Sequence, residues 1–271
     1  MIVRAPASSA NLGPGFDCVA VALDLWNELE LTEGTGVVVE GVGADELPAD
    51  ETNLAVRAYA RLADPSGLHF RLLNRIPLER GLGSSAAAIA LGLAAAAPDT
   101  PAEELLAVGL EFESHADNLA AALVGGITLT WDHRIARIGE TVPLAPVVVI
   151  PAMRVRTALS RHALPDVVPH TDAAVTAGRA ALLGAALASG DTELFAAALH
   201  DRLHEPYRPS KVLDAIRREL PPGGRGATLS GSGPSVIVWT DDTEATMDAL
   251  RDRFPEHELL ALAVAARGAL G

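Results

Sequence analysis

Polar and apolar positions in this chain repeat with two different periods. Residues 21–32 alternate, with Leu23, Leu25, Leu29 and Leu31 on one side and Asp24, Glu28, Glu30 and Thr32 on the other. That pattern predicts a half-buried antiparallel strand. Shorter apolar runs predict further strands at 37–40, 69–74, 127–131, 147–150, 236–240 and 259–266. Helical spacing, each time with a turn or breaker nearby, fills 52–62, 84–97, 101–112, 172–189, 192–203 and 244–254. Strands and helices do not alternate regularly, so the expected class is α+β with antiparallel sheets rather than a doubly wound parallel sheet. The proline-containing stretch 143–151 is the expected place for a change of domain. No internal repeat is present, and the abundant alanine is a bias within helices.

Composition narrows the setting. At 271 residues and 49% hydrophobic content, the chain can bury the core of one large or two modest domains. Its single cysteine, Cys18, excludes an intrachain disulfide and reads as a small core residue. The longest apolar run, 86–97, ends at Pro98, short of the ~20 residues that a membrane helix requires. No basic start followed by a hydrophobic segment marks a secretion signal, so a cytoplasmic protein is expected. A formal charge of −14 argues against nucleic acid as a main partner, because phosphate backbones are gripped by basic faces. An acidic surface can still enclose a local anion site.

Such a site is suggested by Arg80-Gly81-Leu82-Gly83-Ser84-Ser85-Ala86-Ala87, a glycine-serine turn that feeds an alanine-rich helix. Unpaired amides at a helix start attract phosphate, and glycines let an anion come close. The familiar P-loop is excluded: its motif needs Gly-Lys-Ser/Thr, and the only lysine is Lys211. Two further glycine-rich segments flank this one. Pro6 to Asp17 gathers small residues around Asn11 and Asp17, and Leu229-Ser230-Gly231-Ser232-Gly233-Pro234-Ser235 precedes an apolar strand. Each alone reads as a plain turn.

Together, in this order and spacing, the three segments resemble the motifs of the GHMP kinase superfamily, named for galactokinase, homoserine kinase, mevalonate kinase and phosphomevalonate kinase. Asn11 with Asp17, the run His115-Ala116-Asp117-Asn118 ahead of Gly125-Gly126, and Asp201-Arg202-Leu203-His204-Glu205-Pro206-Tyr207-Arg208 look most like the homoserine kinase branch. The resemblance implies a ribosomal-protein-S5-like N-terminal domain over 1–145 and a ferredoxin-like C-terminal domain over 146–271. It also implies ATP-dependent phosphorylation of the L-homoserine hydroxyl to O-phospho-L-homoserine in threonine biosynthesis, with Mg2+ as cofactor and a homodimer as the assembly.

Site residues carry over as follows. Arg80, Gly81, Leu82, Gly83, Ser84, Ser85, Ala86 and Ala87 would wrap the phosphates, and Asn53 would lie near the base unless it is simply a helix cap. Ser85 and Glu113 are the magnesium candidates, with Glu111 as the alternative carboxylate. Arg161 and Arg208 suit the substrate carboxylate, Asp17 its ammonium, and Asn11 and His115 would orient polar groups. Asp117 positions the attacking hydroxyl first and takes its proton second, while Asn118 can only orient it. His204 reads as a residue that hydrogen-bonds within the C-terminal half. The chain departs from the family pattern at Thr157-Ala158-Leu159-Ser160-Arg161, which lacks polar residues between threonine and arginine, and at Pro209-Ser210-Lys211-Val212. Alternatives are another small-alcohol kinase of the superfamily, of mevalonate or shikimate type, and a non-catalytic ATP-binding regulatory protein.

Overall fold

A computed structural model describes residues 1–271 apart from Ser114 and Arg156, and of Thr157, Ala158 and Leu159 only the backbone. The apolar alternation builds the first sheet. Strand β1 (Ile2–Asn11) pairs with the long β2 (Gly15–Glu33), whose outer half carries the predicted alternation. Strand β3 (Val37–Gly41), helix α1 (Leu54–Ala60) and strand β4 (Leu68–Asn74) follow. Helices α2 (Ser84–Ala96), α3 (Ala102–Gly109) and α4 (Ala116–Val124) precede β5 (Ile127–Trp131) and β6 (Arg134–Gly139). The sheet order is β3-β4-β2-β5-β6, with β1 attached to β2. One pairing departs from the antiparallel expectation: β3 runs parallel to β4, because the chain between them crosses over through α1.

Helix α2 is the centre of this half. Its residues from Ala86 to Ala95 are buried on almost every side, as in a helix that crosses the interior. Small side chains permit this. A Cβ on Gly92 would sit 2.1 Å from Ala55 O of α1, so only glycine allows the two backbones to pass.

The second sheet takes β7 (Ala145–Ile150), then helices α5 (Thr157–His162), α6 (His170–Ser189), α7 (Thr192–Ala198) and α8 (Lys211–Arg218). Strands β8 (Gly224–Leu229) and β9 (Val236–Thr240), helix α9 (Thr243–Arg253) and strand β10 (Glu258–Ala261) complete it. The order is β10-β7-β9-β8, all antiparallel, in the ferredoxin-like manner. Both of its faces are covered, which explains the unbroken apolar runs of β7 and β9. Val147, Val149, Val236 and Val238 pack with Leu213 of α8 and Leu250 of α9. Val148, Ile150, Ile237 and Trp239 turn the other way, into the main core with Leu183 and Phe195.

The predicted strand 259–266 ends early: after Leu262, whose N–H still donates to Pro146 O of β7 (3.1 Å), the chain leaves the second sheet. Asp24 N–H donates to Ala263 O (2.9 Å), Gly126 N–H to Ala265 O (2.7 Å), and Ala269 N–H to Ala122 O (2.8 Å). The C-terminal segment thus returns to the first sheet and α4. Cys18 is also not where the composition placed it. It lies exposed near the start of β2, beside Asp17 rather than in the core.

Candidate active site

All three glycine-rich segments converge on one cleft of about 360 Å³. The first is a strand, β1, that ends in a sharply strained turn: Asn11, Leu12 and Asp17 have φ of 77°, 45° and 56°, values an L side chain adopts only when its surroundings compel it. The Asn11 side chain supplies part of that compulsion. Its Nδ2 donates to Gly231 O (3.0 Å) and its Oδ1 accepts from Asp17 N–H (3.1 Å). Asn11 therefore lines the cleft as a brace between the first and third motifs, with its amide already engaged at both ends.

The second motif is pressed onto both neighbours. Ser8 N–H donates to Leu82 O (3.1 Å), Ser230 Oγ to Gly81 O (2.6 Å), and Ser235 N–H to Arg80 O (3.3 Å). Gly83 (φ 69°) is the N-cap of α2 and has no side chain to fill the cap, so the first amides of α2 open on the cleft with Ser84 and Ser85. Arg80 lines the same wall, with its guanidinium turned to the carbonyls of Leu78 and Ala152. Ala86 and Ala87 lie behind the loop. Both side chains are fully buried and Ala87 N–H is already bonded to Gly83 O (2.9 Å), so Ala87 supports the loop and does not face the cleft.

Asn53 is not brought to the cleft lining. Its Oδ1 caps α1 through Ala55 N–H (3.0 Å) and its Nδ2 donates to Pro48 O (2.8 Å), which is the capping alternative. The two candidate carboxylates separate cleanly. Glu111 is exposed and paired with Arg61 at 2.7 and 2.9 Å, whereas Glu113 lines the cleft. Oε1 of Glu113 is 3.4 Å from His115 Nδ1, and its Oε2 is buried without a hydrogen-bond partner among the described residues. This contact with Glu113 raises the His115 pKa above the usual imidazole value.

Asp117 sits in the first turn of α4 at the cleft floor, 2% exposed. Burial pushes its carboxyl up to about 6, opposed by the Asn118 N–H that it accepts at 2.7 Å and reinforced by Asp17 and Glu113 nearby. Asn118 is fixed in turn, its Oδ1 accepting from Ser8 Oγ (2.9 Å). Across the cleft, Arg161 grips Asp17 with both terminal nitrogens. Arg208 is different: it is 7% exposed, and among the described residues no carboxylate lies within ion-pair distance of it. Among the described residues its Nη1 meets only His204 Nδ1 (3.1 Å) and Gly231 O (3.2 Å), and its Nε is buried without a partner.

Sequence reasoning missed Phe16. Its ring stacks on His204 (centroids 5.0 Å apart) and lies under the guanidinium groups of both Arg161 (5.6 Å) and Arg208 (5.5 Å). The signal available in the sequence was only an aromatic placed directly before Asp17. The Thr157–Leu159 side chains of the departing segment lie outside the described residues.

Residues 53–126 match the family described as GHMP kinases N terminal domain, and 183–257 match GHMP kinases C terminal. The homoserine kinase of Clavibacter michiganensis subsp. michiganensis is 42% identical, with 98% of this chain and 92% of that protein covered. That of Streptomyces coelicolor is 42% identical, covering 92% of this chain and 87% of its own. Among solved structures, homoserine kinase from Cytophaga hutchinsonii superposes with a TM-score of 0.84 at 27% identity, over 98% of this chain and 96% of that one. A mevalonate kinase from L. major, solved in complex with R-mevalonate, matches at a TM-score of 0.74 and 16% identity over 99% of this chain and 97% of its own, a likeness of fold alone. By the two domain matches and by identity along nearly its whole length, this chain belongs to the GHMP kinases, within their homoserine kinase branch.

Proposed function

We propose that the protein transfers the γ-phosphoryl group of ATP to the side-chain hydroxyl of L-homoserine, giving O-phospho-L-homoserine for threonine biosynthesis. The observation that carries this reading is Arg208. A buried guanidinium with no carboxylate partner and an unpartnered Nε is costly, and a planar anion such as an amino-acid carboxylate relieves that cost. Arg161 stands on the same Phe16 ring and would share the carboxylate. Asp17, now held by Arg161, would take the substrate ammonium. Asp117 would then lie beside the hydroxyl, where its raised pKa makes it a better proton acceptor than an ordinary aspartate.

On the nucleotide side, Gly81 to Ser85 and the start of α2 would receive the phosphates, with Arg80 on the same wall. The donor set fits a magnesium ion. Glu113 Oε2 is a buried carboxylate oxygen without a partner among the described residues, and Ser85 lines the same cleft. Bound with ATP, the ion would neutralise charge on the phosphates. Glu113→Gln is therefore expected to raise the Mg2+ concentration for half-maximal rate by about tenfold or more, an effect of the size usual for a lost charge-assisted contact. Glu111→Gln should leave it unchanged. A magnesium titration at saturating ATP separates the two.

We extend the proposal to two domains that meet near residue 145, to the cytoplasm, and to a homodimer, as the resemblance implies. The two sheets lie on either side of that residue, and no described helix is long and apolar enough to cross a membrane.

The test is direct. Purified protein is incubated with ATP, Mg2+ and L-homoserine, mevalonate or shikimate, and the product is identified by mass spectrometry. O-phosphohomoserine alone is expected. A product from either of the other alcohols would overturn the pocket assignment, and ATP binding without any product would overturn the catalytic reading.

A further inference from the structure

His204 is fully buried, yet both of its ring nitrogens are engaged, one of them across the boundary between the two halves of the fold. Nε2 lies 2.8 Å from Gly13 O, a carbonyl that can only accept, so Nε2 carries the proton. Nδ1 is then a bare lone pair, and it receives Arg208 Nη1 at 3.1 Å. The ring is also stacked on Phe16, 5.0 Å between centroids and 19° from parallel. Only neutral imidazole in this one tautomer satisfies both contacts, because a proton on Nδ1 would oppose the Arg208 N–H. Burial, the largest influence, pushes the His204 pKa below its usual value and favours that neutral form.

Its backbone is held just as firmly. Asp201, 2% exposed, accepts the N–H groups of Leu203, His204 and Glu205 at 2.9, 2.7 and 2.9 Å. Glu205 ties the segment to β8 and α8 through Leu229 N–H (2.9 Å) and Arg217 (2.6 Å). The imidazole is thus a fixed strut. One end rests on the Gly13 turn that carries Phe16 and Asp17, and the other end rests on Arg208.

We propose that His204 is a positioning residue for the substrate carboxylate: it accepts from Arg208 and, together with the Gly231 carbonyl, aims into the cleft a buried guanidinium that has no carboxylate partner among the described residues, with Phe16 as the plate on which the group rests. This rests on the reading that Arg208 binds the carboxylate. The consequence is specific to one substrate group. Losing the strut weakens recognition of the carboxylate while ATP binding and the chemistry at Asp117 are left in place.

The experiment compares wild type, His204→Leu and His204→Gln on L-homoserine and on 3-aminopropan-1-ol, which keeps the hydroxyl and the ammonium and lacks the carboxylate. Wild type is expected to prefer homoserine strongly in kcat/KM. His204→Leu, which removes both nitrogens, is expected to raise the homoserine KM by about tenfold to a hundredfold, the range for a lost hydrogen bond to a charged group. Its kcat at saturation should stay within about threefold, its ATP Kd should not move, and its kcat/KM for 3-aminopropan-1-ol should match wild type, following the usual signature of lost binding. His204→Gln keeps a neutral donor and acceptor and should recover most of the homoserine KM.

If both variants lose the two substrates in equal proportion, or lose ATP binding along with them, His204 is a structural residue and the proposal is overturned. Should His204→Leu fail to fold, His204→Phe, which keeps a flat ring against Phe16 and removes both nitrogens, takes its place: a raised homoserine KM with an unchanged kcat/KM for 3-aminopropan-1-ol supports the strut, and equal loss on both substrates refutes it. A wild type that does not discriminate between the substrates would overturn the carboxylate reading itself, and the proposal with it.

Discussion

Asp117→Asn is expected to lower kcat by about 10²- to 10⁴-fold, the usual contribution of a positioned acid–base group, while ATP binding stays within about twofold of wild type. Asparagine preserves the shape and can still accept the Asn118 N–H that Asp117 accepts at 2.7 Å, so the loss reports the missing carboxylate. A pH profile sharpens the test. Burial raises the Asp117 pKa to about 6, and the group acts as a base only when ionised. The wild-type kcat/KM should therefore fall as pH drops through about 6, and the residual rate of the variant should lack that acid limb.

Stability should move in the opposite direction from activity. A carboxyl whose pKa is raised on folding binds its proton more tightly in the native state, so stability declines as pH rises from the unfolded value of about 4 to about 6. At pH 8 the wild type carries this buried charge in full. Asp117→Asn removes it, and a higher melting temperature than wild type at pH 8 is expected, converging with wild type near pH 4. Loss of rate with gain in stability distinguishes a functional carboxylate from a structural one; an unchanged kcat would remove Asp117 from the mechanism.

Gly81→Ala has the second large effect. Its φ of +74° is strained for any L side chain, and an added Cβ would lie 2.2 Å from Ser230 O and 2.8 Å from Gly233 O. Those are backbone atoms of a loop held from both sides, so they cannot yield cheaply. Destabilisation of about 2–4 kcal/mol is expected from strain and overpacking together, with ATP affinity weakened tenfold or more as the loop is pushed off the third motif. Gly190→Ala is the control. It has nearly the same φ, +72°, with nothing within 4 Å of the new atom, so it carries conformational strain alone. Differential scanning fluorimetry with and without ATP reads both variants; equal shifts would show that the contact with Ser230 does not shape the nucleotide loop.

Much of this architecture was legible because the relevant residues obey a single local rule. Strands at 127–131 and 236–240 match β5 and β9 residue for residue, since short apolar runs bounded by turns leave little choice of boundary. β1 was not foreseen as a strand. Its inner residues from Ala5 to Asn11 are small and buried throughout, paired with β2 and packed against helices α2 and α4, so neither alternation nor bulk marks them. The predicted helix at 192–203 stops at Ala198, where the chain must turn so that Asp201 can collect three amides from the segment that presents His204.

At the site, residue identity was readable and engagement was not. Asn11, Asp17, Asp117 and Arg208 do reach one cleft. The sequence offered no means of knowing that Asn11 braces Gly231, that Asp17 is already gripped by Arg161, or that Glu111 is neutralised on the surface by Arg61 while Glu113 keeps an oxygen without a partner among the described residues. Those facts depend on groups as many as 220 residues apart. Phe16 went unread for the same reason, since its value lies in two arginines and a histidine that belong to the distant half of the chain.

The return of the C-terminal segment to the first sheet has a mechanical consequence. The polypeptide crosses between the sheets at 139–145 and again at 261–264, where Leu23 and Val264 form a bridge. The two sheets are therefore tied by the chain at two places, and they also share one core, in which Val148, Ile150, Ile237 and Trp239 pack with residues of the first half. A cleft whose opposite walls are fastened to each other in this way holds the Arg208 side and the Asp117 side in register before any substrate arrives.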